Sequence, residues 1–296
     1  MNGSKQMGRI KEHFLAFFTV LIWGITFVCT KYLTDSLSSL EILYIRYLIA
    51  YVVLWIICPR FFGFTNLRHE LMMFFAAMSG AAAYQYLENV SVCCTSPASV
   101  SFITATAPIF TAVLAHKFLG EKLNFKIFAG MTVSVFGIFL ICFGDSKTIE
   151  TGLLGDMIIF FSIWLWAVYS VLIKKISAFG YPGFLVTRRL FFYSVLAMTP
   201  FMAVAGDMER MSSVFRPEIF INLLFLGIFA SAVCFATWNR SVEKLGATTT
   251  SKYLFISPII TLIAQSLFYK TTVGPAALAG MAVTLLGVGI TEFKNN

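Results

Sequence analysis

Long apolar windows separated by brief polar breaks set the pattern of this chain. Residues 14–32, 157–173 and 219–238 each run close to the ~20 apolar residues that carry a helix across a bilayer. Taken together, the windows predict ten helices, over 13–33, 40–58, 70–92, 97–117, 125–143, 153–174, 184–205, 218–239, 247–269 and 275–292. Breakers punctuate them: Pro59, Pro97, the Gly144-Asp145 pair, Gly180-Tyr181-Pro182, Pro217 and Gly274-Pro275. No hydrophilic stretch is long enough for a separate domain. Basic Lys5, Arg9 and Lys11 precede the first window, as they would in a signal peptide. The run is too long for one, however, and no small-residue cleavage site follows it. The expected fold is therefore all-α, an integral membrane protein of ten transmembrane helices.

Composition removes the soluble alternative. Of 296 residues, 58% are apolar and 12% charged, against about 25% charged in an ordinary soluble domain. A net charge of +8 would suggest nucleic acid in a soluble protein, but here it reads as the positive-inside bias. With the N-terminus placed inside, the connectors on that side hold Lys5, Arg9, Lys11, Arg60 and Arg68, then Lys117, Lys122 and Lys126. Farther on they hold Lys174, Lys175, Arg188, Arg189, Arg240, Lys244, Lys252 and Lys294. The other side holds Lys31, Lys147, Arg210, Arg216 and Lys270, and Arg46 falls within helix 2. Both termini are expected in the cytoplasm, and no nucleic-acid partner is expected. The six cysteines lie in or beside apolar runs without metal spacing, so neither a metal site nor a disulfide framework is expected.

The two halves of the sequence match. A shift of 150 takes Asn89-Val90-Ser91-Val92 to Asn239-Arg240-Ser241-Val242, Pro108-Ile109 to Pro258-Ile259, Gly130-Met131 to Gly280-Met281, and Gly137 to Gly287. A shift of 143 takes Trp23 to Trp166, Lys31 to Lys174 and Arg46 to Arg189. The expected division is a first five-helix repeat over 1–143 and a second over 144–296, together one membrane domain. Five helices is an odd number, so the second repeat must enter from the opposite side. Inverted repeats of this kind recur in transporters, with the substrate site near the midplane where they meet.

The matched residues also carry a resemblance. Trp23-Gly24 with Phe27 and Lys31, Arg46, the run Tyr84-Gln85-Tyr86-Leu87-Glu88-Asn89, Ser96 to Ser99, Pro108 and Gly120-Glu121-Lys122 mark the first half. Gly155-Asp156, Trp166 to Tyr169, Lys174-Lys175, Trp238-Asn239, Leu245-Gly246-Ala247 and Pro258 mark the second. In order and spacing the chain resembles the ten-helix, EamA-type branch of the drug/metabolite transporter superfamily over essentially its whole length. One departure is Lys270-Thr271, where a Gly-Glu pair would follow helix 9, so Glu121 lacks a counterpart. Glu121 is expected to cap or pair at the cytoplasmic end of helix 4. The resemblance implies carriage of a small metabolite by alternating access, often as an exporter, without a cofactor. The expected location is a cell membrane, the bacterial inner membrane, crossed many times.

Candidate substrate-binding residues are those that sit oddly in apolar windows. Glu88, near the outer end of helix 3, is either a counter-charge for substrate or coupling proton, or an interfacial acid paired with Arg46 or Lys31. Ser257, Thr261 and Gln265 share one face of helix 9 with Tyr253 a turn earlier. That stripe either lines a pathway or bonds neighbouring helices. Trp23, Tyr84, Trp166, Trp238 and Tyr253 offer ring faces that attract quaternary ammonium groups, or else anchor the helices in lipid. Asn239 joins this set beside Trp238. The prolines Pro108 and Pro258 mark flexing points or simple kinks. Gly130, Gly137, Gly280 and Gly287 read as close packing between helices 5 and 10, within one chain or in a homodimer.

Rival functions are weaker. His13, His69 and His116 are the only histidines, and there is no His-Glu-x-x-His, no Gly-x-Ser-x-Gly and no phosphate loop. An enzyme is not expected. Neither charged rings nor carbonyl filters of a channel are evident. Among transport readings an amino acid or similar polar metabolite comes first, and a cationic or quaternary-amine compound second.

Overall fold

A computed structural model describes residues 2–143, 152–270 and 274–292. Gly144, Asp145, Lys147, Thr271 and Lys294 lie outside the described residues, as do the side chains of Lys5, Arg9 and Cys142. Among the described residues the chain is helical with no strand. The helices are α1 (Asn2–Leu33), α2 (Ser39–Ile57), α3 (67–94), α4 (Pro97–Leu119) and α5 (Phe125–Phe143). They continue as α6 (Leu153–Ser177), α7 (Gly183–Ala205), α8 (Pro217–Leu245), α9 (Ala247–Tyr269) and α10 (Pro275–Glu292), with a further short helix, Met208–Ser212, between α7 and α8.

Local chemistry explains the boundaries. Ser38 and Glu41 form a reciprocal capping box at the start of α2. Asn66 caps α3 by accepting the His69 N–H at 2.9 Å. Ser96 accepts the Ser99 N–H at 3.1 Å, with Pro97 in the first turn of α4. Gly120, at φ 68°, ends α4 in the left-handed region where a glycine costs least.

Among the described residues six helices are long and apolar enough to cross a membrane, α1 over Ile10–Leu33, α2, α4, α6, α8 and α9, and α7 makes a seventh if it is taken with the bent segment Glu209–Phe215. Two shorter apolar stretches, Phe125–Ile141 and Pro275–Thr291, belong to α5 and α10. The third helix contains Arg68, Glu70 and Glu88 and falls outside the apolar set. The outer surface bears large apolar side chains such as Phe136, Leu196, Leu267 and Leu285, whereas Arg46, Glu88, Asn89, Asn239 and Lys252 are buried. Charge inside and hydrocarbon outside inverts the soluble arrangement and suits a lipid solvent. The protein is a multi-pass membrane protein.

Two helices change winding partway. In α3 the segment Ala77–Tyr84 is π-helical, and in α8 so is Leu226–Val233, 149 positions later. A π segment inserts an extra residue and loosens the ladder of carbonyl acceptors. In each, one carbonyl is taken by an aromatic side chain from another helix. The Tyr47 hydroxyl donates to the Ala81 carbonyl, and Trp23 Nε1 donates to the Ala230 carbonyl at 2.9 Å. Ala81 and Ala230 are themselves 149 apart.

Helices α5 and α10 pack along their lengths, and their glycines set the spacing. A Cβ on Gly130 would lie 2.6 Å from the Gly287 carbonyl oxygen, and one on Gly280 would lie 2.5 Å from that of Gly137. The contact is thus made within one chain. Three of the basic residues counted by side bond backbone carbonyls from within helices. Arg188 and Arg189 lie in the second turn of α7 and reach back to the 58–63 loop. Lys252 is buried inside α9, with Nζ donating to the Thr291 carbonyl at 3.2 Å. Long flexible stems let a cation find carbonyls that sequence position does not reveal.

Candidate substrate site

Helices α1, α2, α3, α4, α6 and α9 converge on one enclosed cavity in the bundle interior. It holds ≈ 20 Å³, room for about one water molecule, so a metabolite requires the helices to part. Of the ten candidate residues, Trp23, Tyr84, Glu88, Trp166 and Ser257 line it.

Its electrostatics come from two opposed charges. Glu88 is 9% exposed, and Gln85 Nε2 donates to its Oε1 at 3.2 Å. Across the cavity Arg46, 2% exposed, donates from Nε to Ser231 Oγ at 2.9 Å. No ion pair within 4.0 Å joins them among the described residues. Lys31 is elsewhere, its Nζ donating to the Val92 carbonyl at 2.8 Å and the Cys93 carbonyl at 3.3 Å at the end of α3. Glu88 is therefore an interior acid facing a cavity, not an interfacial partner of Lys31. Both groups are buried on the same cavity, where opposite charges are screened less than they would be in bulk water.

The aromatic wall is continuous. Trp23 lies 5.4 Å from Trp166 and 5.1 Å from Trp238 between ring centroids, and Trp166 lies 5.7 Å from Trp238. Tyr84 stands 5.0 Å from Trp166. Trp238 is fully buried behind the lining residues. The indole N–H groups of Trp166 and Trp238 have no hydrogen-bond partner among the described residues.

The remaining candidates are placed apart from the lining. Asn239 Oδ1 accepts from the Tyr169 hydroxyl at 2.7 Å, and its Nδ2 donates to Thr187 Oγ1 at 3.0 Å, tying α8 to α6 and α7. Thr261 Oγ1 donates to the Gly24 carbonyl at 2.8 Å, holding α9 to α1. The Tyr253 hydroxyl meets His13 Nδ1 at 2.8 Å near the start of α1. Gln265 lies two turns beyond Ser257, its Oε1 without a hydrogen-bond partner among the described residues. The polar stripe of α9 thus divides, with Ser257 at the cavity and Thr261 bonding a neighbouring helix.

Sequence reasoning missed Arg46, Gln85 and Thr104 as lining residues. The signal for Arg46 was present, since it is a charge within an apolar window. Thr104 and Leu254 had a subtler one. Pro108 and Pro258 cannot donate to the carbonyl four residues back, and those carbonyls belong to Thr104 and Leu254, both at the cavity. In α9 the Ser257 N–H takes the Leu254 carbonyl instead, within a 3₁₀ stretch over Lys252–Ile256.

The bundle ends are tied by charge. Lys174 Nζ donates to the Glu243 carbonyl at 2.5 Å, at the end of α8. Glu121 accepts the N–H groups of Ala247 at 2.8 Å and Thr248 at 2.9 Å, capping α9. The residue before α9 is Gly246, which has no side chain to do so. Among the described residues no group of three or more His, Cys, Asp or Glu could hold a metal ion.

Comparison with known proteins bears on this architecture. The profile of the EamA-like transporter family matches residues 10–143 and again 153–293. A protein of Archaeoglobus fulgidus described as an uncharacterized transporter is 26% identical over 297 residues, covering 97% of this chain and 99% of the relative. A probable terminal-alkyne amino-acid exporter of Streptantibioticus cattleyicolor is 24% identical over 277 residues, covering 91% of this chain and 89% of the relative. A crystal structure with 14% sequence identity matches the fold with a TM-score of 0.76, over 95% of this chain and 96% of that one. Two matched stretches that take in nearly the whole length leave one reading of these helices: the chain belongs to the EamA-like transporter family.

Proposed function

We propose that this protein is a secondary transporter that carries a small zwitterionic metabolite, an amino acid or close relative, by alternating access. The observation that carries the reading is the opposition of Arg46 and Glu88 across one aromatic cavity. A carboxylate would sit against the guanidinium and an ammonium against the Glu88 carboxylate, with the side chain among Trp23, Tyr84 and Trp166. Each charge-assisted contact supplies about 1.5–3 kcal/mol. The Streptantibioticus relative, a probable exporter of an amino acid, supports the same substrate class and the outward direction of export.

The architecture we infer is ten spans in two inverted halves, with both termini in the cytoplasm of a cell-membrane protein. Supporting it are the two family matches, the 149-residue spacing of the π segments and the paired lysine contacts at Val92–Cys93 and Glu243. The cavity lies between the halves, where opposite rocking would expose it to either side. A cationic substrate is the second reading, favoured by Glu88 among aromatic rings. Arg46 on the same cavity opposes it.

The test is flux in liposomes carrying the purified protein. An amino acid should show saturable counterflow, which a pore cannot support. Its amide and its N-acetyl derivative, each lacking one charge, should fall about tenfold or more, since 1.4 kcal/mol is tenfold. Glu88→Gln should lower amino-acid flux by a similar factor. Unchanged flux in that variant would remove the acid from the cycle, and preference for quaternary amines would select the second reading.

A further inference from the structure

A second pocket lies away from the transport cavity, where the end of α2, the 58–66 loop and the start of α7 meet. It measures ≈ 240 Å³ and is walled by Trp55, Phe61, Phe62, Phe192, Arg188 and Arg189, among others. Its charge is unbalanced. Arg189 is answered by Glu70 at 3.2 Å, and the Tyr193 hydroxyl and Thr65 also bond that carboxylate. Arg188, 4% exposed, forms no ion pair among the described residues. Its guanidinium lies 3.7 Å above the Trp55 ring and donates to the carbonyls of Cys58, at 2.7 Å, and Arg60. Those two bonds use only part of the five-donor fork. The pocket therefore carries net positive charge on a pre-oriented guanidinium. Around it the surface is apolar and open, with Phe61 85% exposed and Phe64 70% exposed. Phe192 of the pocket wall is exposed on α7, and on α2 Val52 and Ile56, next in sequence to the lining residues Tyr51 and Trp55, are exposed too.

A cation with spare donors at the end of a membrane helix, bordered by an exposed aromatic and aliphatic face, matches an amphiphile with an anionic head. We propose that this pocket is a binding site for an anionic phospholipid. The phosphate would meet Arg188, and an acyl chain would run along Val52, Ile56 and Phe192. Basic pockets between membrane helices bind acidic head groups by this chemistry, and the guanidinium fork suits phosphate oxygens. The occupied pocket would pin the 58–66 loop, whose carbonyls Arg188 and Arg189 already hold, and so fix α2 relative to α7.

Native mass spectrometry of the full-length protein, delipidated and then offered equal phosphatidylglycerol and phosphatidylcholine, tests this. One phosphatidylglycerol should be retained at least fivefold over phosphatidylcholine. That preference should collapse in Arg188→Gln. Because Arg188→Gln also frees two loop carbonyls, Phe61→Ala/Phe64→Ala serves as a second variant. Its exposed side chains can be lost without harm to the fold, and it should weaken retention of the same lipid severalfold. Equal retention of the two lipids by the unmodified protein would overturn the proposal. So would undiminished phosphatidylglycerol preference in both variants. Displacement of the lipid by millimolar inorganic phosphate alone would reassign the pocket to a soluble anion and equally overturn it.

Discussion

At the scale of single residues, the interior charges and the caps make separable predictions. Arg46 uses Nε to hold Ser231, and a lysine has no equivalent donor at that point along its stem. Arg46→Lys should keep the charge yet lower amino-acid flux about tenfold, read as initial rate in liposomes, while Ser231→Ala should have a smaller effect in the same direction. Glu121→Ala should leave the cavity intact but strip two N–H groups of their acceptor. The cost should be about 1–2 kcal/mol, seen as a lower melting temperature in detergent with substrate affinity retained. Glu88, Trp23 and Trp166 were legible in the sequence because a charge or a large ring in an apolar window is conspicuous. Arg46 was equally conspicuous, but nothing in its spacing said which helices it faced. Asn239 and Thr261 show the converse limit. A polar side chain in mid-helix has the same periodicity whether it meets a pathway or a neighbouring backbone, and here both meet neighbours.

Helices as units were read more fully than their winding. Apolar length and breakers placed the long helices to within a few residues at most ends, since those signals are local, but they gave no sign of the short helix at Met208–Ser212. The π segments were invisible because the extra residue in Ala77–Tyr84 sits among small side chains with no proline or cap to announce it. Its consequence can be measured. Deleting Ala83 should restore regular winding and turn residues 84–94 by about 100°, carrying Glu88 out of the cavity. Such a protein should reach the membrane and lose transport. Tyr47→Phe would test the same segment more gently by removing the hydroxyl that holds the Ala81 carbonyl. The α5–α10 contact predicts the opposite kind of failure. Gly137→Leu would drive a side chain into Thr284 and the Gly280 carbonyl, so a sharp loss of folded protein on size-exclusion chromatography is expected before any question of transport arises.

For the whole molecule, the charge bias along the sequence implies a sidedness that labelling can read. In a cysteine-free background, a cysteine placed at Gly206 should react with a membrane-impermeant maleimide in intact cells. One placed at Gly120 should react only after permeabilisation. The reverse pattern would invert the molecule and remove the positive-inside argument. The all-helical membrane class was legible because apolar windows survive without knowledge of packing. Which helices enclose the cavity was not, since that depends on contacts between distant segments. One such contact separates the proposed halves in kind. Ser96 caps its own helix, whereas Gly246, 150 positions on, leaves that task to Glu121 from the other half. Two copies of residues 1–143 would each bring a self-capped α4 and a glutamate with no bare helix to receive it. Glu121 of one proposed half thus completes a helix of the other, so exchanging either for a duplicate of its partner should cost that cap.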